Sequence, residues 1–119
     1  MNVLIAEDDL MNQLLIGKYM RTLQWEHTIV SNGLLALEAC RAGNFDAILM
    51  DIEMPELDGI EATKSIRQFN KEIPIVAITA YVTEQNRNKC SDAGMNDFLA
   101  KPVSQHLIEN VITGLVDIQ

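Results

Sequence analysis

Five times along this chain, a short apolar run gives way within a few residues to a longer segment of helical character. No other feature narrows the fold as much. The runs lie at 3–6, 27–30, 47–50, 75–78 and 98–100. VLIA, AILM and IVAI are apolar throughout rather than alternating, as strands buried on both faces must be. Between them, Leu10, Leu14, Leu15 and Leu23, with Met11 and Tyr19, recur at helical spacing. A second helix is predicted over 34–41, after the punctuation of Asn32-Gly33 and before Gly43. Asp58 is a good N-cap, with Glu61 three residues on as the reciprocal half of a capping box. The helix it opens carries Ile60, Ala62 and Ile66 and ends before Pro74. Residues 83–93 read as a polar helix, with Gly94 where a left-handed C-terminal cap belongs. Ser104 caps a last helix with a stripe of Leu107, Ile108, Val111, Ile112 and Leu115. Alternation of this kind predicts an α/β fold: a parallel sheet, helices on both faces and right-handed crossovers. Without repeat, low-complexity segment or linker in the sequence, residues 1–119 are expected to form one domain.

All strands of a parallel sheet end on the same edge, and ligands of open α/β sheets bind in the crevice outside it. The predicted strands deliver Glu7, Asp8 and Asp9, then Asp51, Thr79 and Lys101 to that edge. Two unit charges about 4 Å apart repel by about 1 kcal/mol in water and about 4 kcal/mol at an effective dielectric near 20. Gathered carboxylates therefore call for a cation. Oxygen donors without histidine or thiolate favour Mg²⁺ over zinc. Lysine and threonine add an ammonium and a hydroxyl donor suited to an anion. Metal, ammonium and hydroxyl around one carboxylate are the parts of a phosphoryl-transfer site, and an aspartate can itself be the nucleophile. Asp51, ending an apolar strand, is the best placed acceptor.

Composition agrees with this reading and removes others. Apolar residues make up 48% and charged residues 22%, the globular range. No apolar run approaches the ~18 residues of a membrane helix, and no basic stretch precedes an apolar one as in a signal peptide. A net charge of −8 argues against binding a nucleic-acid backbone. Cys40 and Cys90 stand apart from any CxxC pair, which excludes a structural zinc site and suggests reduced thiols in the cytoplasm.

The stretches VLIAEDDLMNQLL, AILMDIEMPELDG, IVAITA and AGMNDFLAKP, in that order across nearly the whole chain, resemble the receiver domain of two-component response regulators. The last of them leans toward receivers of hybrid sensor histidine kinases. The resemblance implies a flavodoxin-like (βα)5 doubly wound sheet with strand order 2-1-3-4-5. It implies that Asp51 accepts a phosphoryl group from a phosphohistidine on a sensor kinase or histidine phosphotransfer domain. It makes Asp8 and Asp51 direct Mg²⁺ ligands, Glu7 a ligand through water, and the backbone carbonyl of Glu53 the third protein ligand. Thr79 and Lys101 would bind the phosphoryl oxygens, Thr79 and Phe98 would move as the switch, and Lys101-Pro102 would be a cis peptide. The output surface would lie around the fourth helix and fifth strand. Such a domain is a signalling switch of a phosphorelay that catalyses its own phosphorylation and slow dephosphorylation.

Two departures carry expectations of their own. Phe98 lacks the phenol that many receivers have, and Glu7 replaces the aspartate often found first in the acidic pair. Glu53 and Tyr81, two residues past Asp51 and Thr79, are expected to slow hydrolysis. Asp51-Ile52-Glu53 also resembles the DxD of haloacid dehalogenase phosphatases, but there the nucleophile ends the first strand. A pseudo-receiver, the same fold without phosphorylation, is disfavoured because every part of the acceptor site is present. His27 and His106 are read as surface or strand-edge residues, Trp25 as packing, Met50 and Met54 as gap-fillers, and Asp9 as a helix cap.

Overall fold

The structure, a computed structural model, describes residues 1–117; positions 118–119, the last two of the expected domain, lie outside the described residues. The elements follow in strict alternation: β1 (Asn2–Ala6), α1 (Leu10–Leu23), β2 (Glu26–Val30), α2 (Gly33–Ala42), β3 (Ala47–Asp51), α3 (Gly59–Arg67), β4 (Ile75–Thr79), α4 (Glu84–Ala93), β5 (Asp97–Ala100) and α5 (Gln105–Asp117). All strand pairs are parallel, in the order β2-β1-β3-β4-β5. The inner strands β3 and β4 are buried at every position, which is why their sequences show no alternation.

Side chains nonetheless alternate between the two faces. Val3, Ile5, Ala47, Leu49, Val76 and Ile78 pack with Ile16 and Met20 of α1 and Ile108 and Ile112 of α5. Leu4, Ala6, Ile48, Met50, Ile75 and Ala77 pack with Ala36 and Leu37 of α2, Ala62 and Ile66 of α3, and Cys90 of α4. Trp25 and Met54 pack at the margins of these clusters. Side-chain oxygens of Asp9, Asn32, Asp58, Thr83 and Ser104 each accept the amide three residues on. Such a cap is worth about 1 kcal/mol.

Some expectations need correction. The capping box is half formed: Asp58 caps α3, but the Glu61 carboxylate turns to Lys64, 3.4 Å away, where an exposed cation offers a better partner. The second helix begins one residue earlier than 34, at Gly33, with Asn32 as its N-cap; Gly33 N–H donates to Leu57 O at 2.9 Å, and a Cβ on Gly33 would collide with that carbonyl. Leu107 lies off the α5 stripe, and Leu10, Met11 and Leu14 of α1 are 65%, 71% and 59% exposed. Helical spacing established the helix there without fixing which face meets the sheet.

α4 buries Cys90 and Ala93, both in its last turn. Hydrogen bonds tie down that same end. Gly94 adopts φ 105 and donates to Cys90 O and Ser91 O. Arg67, at the end of α3, donates Nε and Nη2 to Gly94 O at 3.0 and 2.8 Å, and Nη2 also to Asn96 Oδ1 at 3.0 Å. Asn96 Oδ1 in turn accepts Ile75 N–H at 2.8 Å.

Candidate functional site

The C-terminal ends of β1, β3, β4 and β5 bring Glu7, Asp51, Thr79 and Lys101 together, as their positions in the sequence required. Lys101 Nζ is the hub. It donates to Asp51 Oδ2 at 2.8 Å and lies 2.9 Å from Glu7 Oε1. The second Asp51 oxygen, Oδ1, accepts the backbone N–H of Glu53 at 3.1 Å. Glu7 Oε2 accepts the N–H of Asp9 at 3.0 Å, and Gln13 Nε2 holds the Glu7 carbonyl at 2.6 Å. The Lys101–Pro102 peptide is cis.

Three carboxylates meet here. Glu7 and Asp51 are buried and Asp8 is exposed, and one oxygen from each lies within 4.8 Å of the others. Despite its closeness to Lys101, Glu7 Oε1 is a buried oxygen without a properly directed hydrogen bond among the described residues. A buried acceptor with a free lone pair, in an all-oxygen cluster open to solvent through Asp8, fits a hard divalent cation.

The electrostatics follow from burial. Loss of hydration raises the Glu7 carboxyl to about 7; Lys101 and the Asp9 amide oppose the rise, and the charge of Asp51 adds to it. Burial also raises Asp51, against the pull of Lys101 and the Glu53 amide. For Lys101, burial favours loss of the proton, but contacts with Asp51 and Glu7 outweigh it and the ammonium is held above the usual lysine value.

Thr79 is fully buried, and its hydroxyl donates not to Asp51 but to Glu53, at 2.7 Å to Oε1 and 3.2 Å to Oε2. Thr79 Oγ1 accepts the N–H of Tyr81 at 3.0 Å. The Glu53 side chain thus has a hydrogen-bond partner that the sequence did not suggest. Phe98 is half-buried beside Arg87, whose guanidinium carbon lies 5.1 Å from the ring centroid. Both line a cavity of about 200 Å³ with Cys90 and Met95. Asp9 caps α1, while His27 is half-buried at edge strand β2 and His106 is exposed on α5. Gly59 starts α3 so close to β3 that a Cβ there would strike the Asp51 carbonyl, so the start of α3 sits directly against the end of β3.

A doubly wound sheet of this order, with carboxylates, a lysine and a hydroxyl converging at one edge, defines the class of phospho-acceptor signalling domains. Comparison with known proteins gives the family directly. Residues 3–113 match the response regulator receiver domain family, and the chain belongs to it. It is similar to the transcription factor SKN7 of Saccharomyces cerevisiae, 37% identical over 111 residues, covering 93% of this chain and 18% of that protein. Its fold is similar to the receiver domain of the sensor histidine kinase PA1611 from Pseudomonas aeruginosa PAO1, a crystal structure with a magnesium ion in the active-site cleft: TM-score 0.92 at 36% identity, covering 98% of this chain and 97% of that one. It is also similar to the receiver domain of Ssk1 from Saccharomyces cerevisiae, crystallised with the histidine phosphotransfer protein Ypd1: TM-score 0.93 at 34% identity, covering 100% and 90%. The chain spans less than a fifth of the length of the first curated relatives, hybrid and sensor histidine kinases among them. It is a receiver domain of the two-component type, with the flavodoxin-like topology of that family. Among the described residues no helix is long and apolar enough to cross a membrane.

Proposed function

We propose that the whole chain, 1–119, acts as one cytoplasmic receiver module that takes a phosphoryl group onto Asp51 from a phosphohistidine. The observation that carries this reading is Lys101 Nζ at 2.8 Å from Asp51 Oδ2, with the Glu7 and Asp8 carboxylates converging on the same point. Asp8, Asp51 and the Glu53 backbone carbonyl would hold Mg²⁺, with Glu7 reaching it through water; bound there, the ion neutralises charge on the phosphoryl oxygens.

The chain's own residues do the rest. One Asp51 oxygen attacks phosphorus, the P–N bond to the donor imidazole breaks, and the imidazole leaves with its electron pair and picks up a proton. Lys101 orients Asp51 and then binds a phosphoryl oxygen. Thr79 donates its hydroxyl to another oxygen and moves inward, and Phe98 turns from the α4–β5 cavity toward the space that Thr79 leaves. Glu53 and Tyr81 at the rim hinder attacking water, so the acyl phosphate persists and the domain works as a switch rather than a turnover enzyme.

A sensor histidine kinase or a histidine phosphotransfer domain would supply the phosphoryl group. Leu10, Met11 and Leu14, exposed just after the acidic cluster, are an apolar surface such a donor could cover. The test is labelling with acetyl phosphate and Mg²⁺, read by intact mass and fragment mapping. One phosphoryl group per chain on Asp51, absent in Asp51→Asn, is the expected result. Label on another side chain, or steady turnover of a general phosphatase substrate, would overturn it.

A further inference from the structure

We infer that Glu53 is a positioning residue that withholds the Thr79 hydroxyl from Asp51 until a phosphoryl group displaces it. The inference rests on the receiver reading above and adds a part to it. A threonine hydroxyl has one proton to donate. Here that proton is committed to the Glu53 carboxylate at 2.7 Å, while the Tyr81 amide fills an acceptor position on the same oxygen at 3.0 Å. Residue 53 also reaches Asp51 through its backbone N–H. One residue therefore touches both acceptor and switch, through different atoms.

A phosphoryl oxygen on Asp51 must win the proton from another anion, so one charge-assisted hydrogen bond replaces another. Thr79 is fully buried, and its hydroxyl is costly to leave without an acceptor. The exchange is therefore one for one: Thr79 faces Glu53 or the phosphoryl group, with little stable ground between. The Glu53 side chain, once released, is at the surface and rehydrates.

The test uses the whole chain with beryllium fluoride and Mg²⁺ as a phosphoryl mimic. Affinity is measured for wild type, Glu53→Gln, Glu53→Ala, Thr79→Ala and the Thr79→Ala/Glu53→Ala double variant. The Thr79 methyl signal is followed by NMR in the mimic-free protein. Glu53→Ala is expected to bind the mimic about tenfold tighter, and Glu53→Gln, which keeps the shape and a neutral acceptor, by an intermediate factor. In the Thr79→Ala background the gain should vanish, and Glu53→Ala should shift the mimic-free Thr79 signal. The same gain without the hydroxyl would reduce the effect to charge repulsion and overturn the inference, as would an unmoved Thr79 signal. Failure of the wild type to bind the mimic would instead count against the receiver reading, and the Thr79 signal alone would then decide the role of Glu53.

Discussion

Lys101, Glu7 and Asp51 form one half of the site; Thr79, Glu53 and Tyr81 form the other. In the first half two buried carboxylates share one ammonium, whose side chain is itself only 18% exposed. Each group is held from a different strand end, and none can leave without stranding a charge. In the second half a buried hydroxyl leans on the carboxylate of an exposed loop residue, which water can replace. Under the proposed function, the difference separates two tasks. Chemistry needs preorganised charge that does not move, and signalling needs a group with a second stable position.

The largest effect should come from breaking the rigid half. Lys101→Met is expected to slow labelling of Asp51 by about a hundredfold, the usual loss on removing a preorganised donor, as measured by initial rates with acetyl phosphate. A wild-type rate would mean that the two halves differ less than their geometry indicates.

Next comes a pH effect confined to that half. Burial holds the folded Glu7 carboxyl up at about 7, against 4.5 for an unperturbed glutamate, so between those values the native state binds more protons than the unfolded one. Stability then falls as pH rises through that window, and the raised Asp51 adds in the same direction. Lys101, held above its usual value, contributes stability that is lost only as pH rises through the lysine range. Urea unfolding without added Mg²⁺, at pH 5.5 and 8, should show the decline, and Glu7→Gln should flatten it. An unchanged slope in the variant would assign the decline to other groups.

The smallest effect lies outside both halves, where Arg87 of α4 covers the Phe98 ring of β5. Arg87→Ala removes the cation from the Phe98 ring and should lower stability by less than about 1 kcal/mol. Its clearer sign should be faster amide exchange in α4. Equal exchange would show that the stacked pair does not hold this helix.

Much of this was legible before any coordinates. The unbroken apolar strands declared a parallel sheet, and a parallel sheet forces Glu7, Asp51, Thr79 and Lys101 to one edge. What escaped depends on direction rather than spacing. Leu10, Met11 and Leu14 have helical periodicity, yet they look outward because Ile16 and Met20 take the sheet-facing positions. The bond from Thr79 to Glu53 joins the last residue of β4 to a loop residue beyond β3 by a rotamer choice that no local pattern records. The same holds for Gln13 on the Glu7 carbonyl, and for Arg67, whose donors converge on Gly94 and Asn96 from a helix nearly thirty positions away. Strand ends can be read from a sequence because hydrophobicity marks them; side-chain partners across loops cannot.

The Arg67 clasp has a mechanical corollary. It fastens the C-terminal tip of α4, where Cys90 and Ala93 are also sunk, while the opposite tip is linked to Thr79 through Tyr81, whose carbonyl accepts Asn86 Nδ2 at 2.8 Å and whose N–H donates to Thr79 Oγ1. A rod of ten residues, about 15 Å long, pinned at one end and nudged at the other, tilts instead of sliding. With Gly94 held in this way, a pull at the threonine would be felt as a change of angle along the outer flank of the helix.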